Sequence, residues 1–69
     1  MEKKFLVIEI QKTSEGVVSN IVTNYTDKNQ AESAYYTILA SAAVSTVAVH
    51  TAMIIDDQGA LYASRSYTH

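Results

Sequence analysis

Apolar positions repeat every second residue near both ends of the chain and every three to four residues in the middle, which predicts strands flanking one helix. "KKFLVIEIQK" alternates, with Leu6, Ile8 and Ile10 on one face and Phe5, Val7 and Glu9 on the other. "TSEG" follows, and its glycine suits a four-residue turn whose last position takes a positive φ. "VVSNIVTNYT" alternates again, setting Val17, Ile21 and Tyr25 against Val18 and Val22. The first two strands thus form a hairpin. In "TDKNQAESAYYTILASAAV" the period becomes helical: Ala31, Ala34, Tyr35, Ile38, Leu39 and Ala42 make one stripe, with Asp27 as N-cap and Gln30 completing a capping-box pattern. The β-branched run "VAVHTAMII" and the closing "ALYASRSYTH" return to period two around "DDQG", a second turn ending in glycine. In the last strand, alternation sets Leu61, Ala63, Arg65 and Tyr67 against Tyr62, Ser64 and Ser66.

The order β-β-α-β-β predicts a single α+β domain over residues 1–69, a four-stranded, mostly antiparallel sheet with the helix on one face. The other face is expected to carry some of Phe5, Val7, Val18, Val22, Ala48 and Ile54, and a second subunit is its simplest cover.

Charge patterning sharpens this. From Ser33 to Ile55 there is no Asp, Glu, Lys or Arg. That stretch has the length of a membrane helix, about 20 residues. His50 near its middle, its hydroxyl side chains and the change of period at Ser45–Thr46 divide it instead into a helix end and a strand. The helix end is apolar on its second side, so Tyr36, Ala40, Ala43, Val44 and Val47 are expected at a subunit interface.

Charged residues are 17% of the chain, against about 25% in ordinary domains, which leaves too few to clothe a small surface. Without cysteine there is no disulfide or thiolate metal site, so self-association is the staple that remains for so short a chain. A net charge of −2 and scattered basic residues argue against nucleic acid as partner. No membrane partner, metal or cofactor is expected. The opening residues lack a signal-peptide pattern, which makes a cytoplasmic location the expectation.

Candidate chemistry is sparse. No nucleophile elbow, phosphate loop or metal-ligand spacing is present, and a non-enzymatic role is expected. Five tyrosines offer stacking surfaces, and Arg65 is the one arginine. Tyr36, His50, Tyr62, Arg65 and Tyr67 are therefore the candidate ligand-binding residues. For Arg65 the plainer reading is a solvated residue or an ion pair with Glu9 or Glu2. Asp56 and Asp57 are read as turn chemistry.

Three segments, "KKFLVIEIQ", "AESAYYTILASAAVS" and "VHTAMIIDDQG", together resemble a family of very small proteins of phages and prophages from gut Firmicutes. The resemblance covers nearly the whole chain and transfers no site residues. It implies a viral setting, in the host cytoplasm. Small phage proteins of this kind are often virion or assembly accessories acting through protein contacts, or inhibitors of host defence. The latter include oligomeric "sponges" that sequester nucleotide-derived immune signals between subunits.

Overall fold

A computed structural model describes residues 3–69. The elements are β1 (Phe5–Lys12), β2 (Val18–Tyr25), α1 (Lys28–Ala43), β3 (Val49–Asp56) and β4 (Leu61–Thr68). They form the expected ββαββ fold: one sheet in the order β2-β1-β3-β4, antiparallel at every neighbouring pair, and one helix.

The two hairpin turns share one geometry. Gly16 and Gly59 take φ of +89° and +88°. Each donates its N–H back to the residue three positions earlier, Thr13 and Asp56 respectively. Only glycine enters that region without steric cost, so the spacing of the two glycines sets where both hairpins reverse.

Asp27 caps α1, its Oδ1 accepting from Asn29 N at 2.8 Å. The side-chain bond runs to Asn29, one residue short of the expected Gln30 partner. At the other end, Val44 N and Ser45 N bond back three residues to Ser41 O and Ala42 O, tightening the last turn. His69 Nε2 donates to Ala42 O at 2.8 Å, satisfying a carbonyl the helix leaves free. The break at Ser45–Thr46 is thus real, and the following strand starts at Val49, two residues later than its composition suggests.

The helix stripe is as its period predicts. Ala31, Tyr35, Leu39 and Ala42 are buried, with Ala34 and Ile38 half-buried beside them. The face they cover is a correction. Phe5, Val7, Ala52 and Ile54 lie under the helix, so Phe5, Val7 and Ile54 belong to the core and not to the open face. Leu6, Ile8 and Ile10 point the other way, half-exposed, and Val18 and Val22 share that open face as expected. Ala48 lies just before β3 and accepts from His69 N through its carbonyl.

The physical reason is the connection. β2 and β3 are both antiparallel to β1, hence parallel to each other. The segment β2-α1-β3 is therefore a crossover between parallel strands, and such crossovers are right-handed in about 98% of cases. The handedness of that connection selects the covered face, whichever side of β1 is the more apolar. Small residues then let the helix approach closely: Ala31, Ala42 and Ala52 are wholly buried.

Alternation also fails once in β4. Ile55 pairs with Leu61 while Ile54 pairs with Ala63, so Tyr62 is an extra residue in the ladder. This bulge turns Leu61 to the open face with Ile55 and brings Tyr62 against Phe5, under the helix side, at 5.5 Å between ring centroids.

Candidate ligand cleft

Between the N-terminal half of α1 and the β3–β4 hairpin lies a cleft of about 210 Å³. Lys28, Glu32 and Tyr36 line it from one flank of the helix, since residues four apart share a face. Tyr35 and Ile54 form its floor, and Tyr62 and Ala63 its far wall. The bulge in β4 is what places the Tyr62 ring here.

Tyr62 is the hub of the electrostatics. The ammonium groups of Lys3 and Lys28 sit 5.7 and 5.5 Å from its ring centroid. Lys3 Nζ donates to the Tyr62 hydroxyl at 3.0 Å, and that hydroxyl donates to Asp56 Oδ2 at 3.3 Å. Lys3 Nζ also approaches Asp56 directly at 3.8 Å. The hydrogen bond to Tyr62, reinforced by the carboxylates of Asp56 and Asp57, raises the Lys3 pKa above the ordinary lysine value. Asp56 is buried, and its Oδ1 accepts from Ala60 N at 2.8 Å and Gln58 N at 2.9 Å. Chiefly the Ala60 N–H, then that of Gln58, the Tyr62 hydroxyl and Lys3, lower its pKa below the usual carboxylate value. The reading of Asp56 as turn chemistry holds, and Asp56 also anchors Tyr62.

The five candidate residues do not converge. Tyr36 and Tyr62 share the cleft, exposed to 61% and 40%, and Tyr36 packs edge-on against Tyr35 at 5.3 Å. Tyr67 stands five residues along β4 from Tyr62, about 16 Å at roughly 3.3 Å per residue. There the Arg65 guanidinium lies 4.9 Å from the Tyr67 ring centroid, and Tyr67 stacks on His69. Among the described residues Arg65 has no ion pair. Glu9, one expected partner, binds His50 instead, and Glu2, the other, lies outside the described residues.

His50 is 3% exposed, beneath the helix side of the sheet. Its Nε2 donates to Glu9 Oε2 at 2.6 Å, and Gln11 Nε2 donates to the same oxygen at 3.2 Å. Its Nδ1 is buried without a partner among the described residues. His50 thus braces the interior and presents no atom to a ligand.

Of the expected interface residues, Tyr36, Ala40 and Ala43 lie along the outer helix side and are exposed. Val44 is 83% exposed at the helix end, and Val47 is half-buried in the link to β3.

A larger groove of about 390 Å³ runs between the other helix flank and β2, lined by Val7, Ile21, Tyr25 and Ile38 among others. Among the described residues its one charged lining residue is Glu9, which disfavours anions. Composition and period do not single out Lys3, Lys28 or Glu32. The spacing of Lys28, Glu32 and Tyr36 was readable as one helix flank, but Lys3 meets Tyr62 across 59 positions, through the sheet alone.

No protein-family model matches the chain, and no curated protein or solved structure matches it. Among the described residues, no helix is long and apolar enough to cross a membrane, and no group of three or more His, Cys, Asp or Glu side chains is placed to hold a metal ion.

Proposed function

We propose that this protein is a small, non-enzymatic, homo-oligomeric binding protein that takes up an anionic ligand carrying a planar ring. The observation that supports the reading is the Tyr36–Tyr62 cleft, lined by Lys28, whose ammonium lies 5.5 Å from the Tyr62 ring centroid. Tyr rings stack a planar heterocycle, and Lys28 attracts a phosphate, while Lys3 is held by Asp56 and fixes the Tyr62 ring. Glu32 accepts a hydrogen bond from an exocyclic amine, which favours an amino-bearing base. A nucleotide-derived signal has all three features. In the phage setting that the sequence resemblance implies, holding such a signal without turnover would blunt a host defence.

Calorimetry with a panel of cyclic nucleotides and ADP-ribose cyclisation products tests this. A binding heat is expected for at least one, with affinity weakened more than about tenfold by Tyr36→Ala or Lys28→Ala. No heat from any member of the panel removes the reading.

A second reading, a virion or assembly accessory acting through protein contacts, is favoured by the open sheet face. Recovery of the chain from purified particles by mass spectrometry would support it.

A further inference from the structure

We propose that the helix-free face of the sheet is the interface of a two-fold symmetric dimer of this chain. The inference deepens the oligomeric part of the proposed function and is independent of the ligand cleft, which lies on the opposite side of the sheet. The register places four residues of each strand on this face. Among those sixteen positions Lys12 is the single charge, and it stands at the end of β1 beside the first turn, between Val18 and Val49. Leu6, Ile8 and Ile10 of β1 and Val49, Met53 and Ile55 of β3 fill the centre, all half-exposed in one chain.

The pattern across the strands points to a second copy as the occupant. The two central strands are apolar but for Lys12 and Thr51, while the edges mix Val18, Val22 and Leu61 with polar groups: Asn20 and Asn24 on β2, Ser64, Ser66 and Thr68 on β4. An apolar centre with a polar rim is the anatomy of a specific interface. Because the order runs edge, centre, centre, edge, a two-fold axis along the strands lays centre on centre and rim on rim. A face with no charge near its middle has nothing with which to select a charged partner. Its polar groups are also prepared for burial: the Thr51 and Ser66 hydroxyls bond each other across β3 and β4 at 2.6 Å.

The size agrees. Eight residues at about 3.3 Å and four strands at about 4.8 Å give roughly 500 Å² of plane before side-chain relief is counted. A standard interface takes about 600–1,000 Å² from each partner. The competing surface, the Tyr36–Ala40–Ala43 stripe, is narrow and built largely of alanine.

Sedimentation equilibrium of the full chain and of three variants tests the assignment. Ile8→Glu charges the centre of the face; Val22→Glu charges the same face on an exposed edge strand, where folding tolerates it; Ala43→Glu charges the helix stripe. The wild type and Ala43→Glu are expected at two-chain mass. Both sheet-face variants are expected at one-chain mass with unchanged far-ultraviolet circular dichroism, their dissociation constants raised more than about 100-fold. A dimer that survives a folded Val22→Glu and Ile8→Glu overturns the face assignment and leaves the oligomeric reading standing. A wild type of one-chain mass at 100-fold dilution and at high concentration alike overturns both, whatever calorimetry shows for the ligand.

Discussion

His50 shows how a residue that looks like chemistry turns out to be architecture. Its imidazole is held by Glu9 beneath the helix, with Nδ1 unpartnered among the described residues. Replacing it by alanine removes the donor and leaves a half-buried carboxylate short of one hydrogen bond. His50→Ala is expected to cost about 1–3 kcal/mol of unfolding free energy, read from urea midpoints, without altering ligand heats at the cleft. Asp56 carries the pH dependence at the acid end. Its carboxylate is favoured in the folded chain by backbone N–H donors, so its contribution is present above the unfolded carboxylate value and lost as pH falls through the lower folded one. Thermal unfolding followed from pH 7 to pH 2 is expected to show a loss of stability below about pH 4 that is smaller in Asp56→Asn. Lys3 acts at the alkaline end with the opposite sign. Its contribution is present below the ordinary lysine value and fades as pH rises through its raised one.

At the scale of elements, local signals decided most of the structure. The two turns are set by Gly16 and Gly59, whose φ values no β-carbon tolerates cheaply. Among the described residues nothing lies within 4 Å of the position a Cβ would take at either, so the cost of Gly59→Ala is conformational strain, about 1 kcal/mol by chemical denaturation. Asp27→Ala is expected to cost a similar amount by freeing the Asn29 N–H. The α1 stripe was legible because one period of 3.6 ran unbroken from Ala31 to Ala42. The bulge at Tyr62 was not. Alternation in "ALYASRSY" groups Tyr62 with Ser64 and Ser66 and Leu61 with Ala63; the extra residue, inserted only by pairing with β3, exchanges Leu61 and Tyr62 between the faces. The cleft was hidden from the sequence for the same reason, because its far wall is the bulged tyrosine.

For the molecule as a whole, the main consequence is an apolar face that one helix leaves uncovered. If that face holds two chains together, folding is coupled to association, and the thermal midpoint rises with protein concentration. Differential scanning fluorimetry over a 100-fold concentration range is expected to show that rise in the wild type and none in Ile8→Glu.

Periodicity, caps and turn glycines fixed the number, order and kind of elements by themselves, because each depends on residues within a few positions of one another. The uncharged stretch from Ser33 to Ile55 divides, as its change of period indicates, between the end of α1 and most of β3. What the chain could not declare locally was which side of β1 becomes core. Leu6, Ile8 and Ile10 are as apolar as Phe5 and Val7, so burial energy does not separate the two sides. The crossover from β2 through α1 to β3 separates them, and it exists only once β1 lies between two parallel strands. The pairing of Lys3 with Tyr62, and of Glu9 with His50, follows from that arrangement and from nothing nearer in sequence.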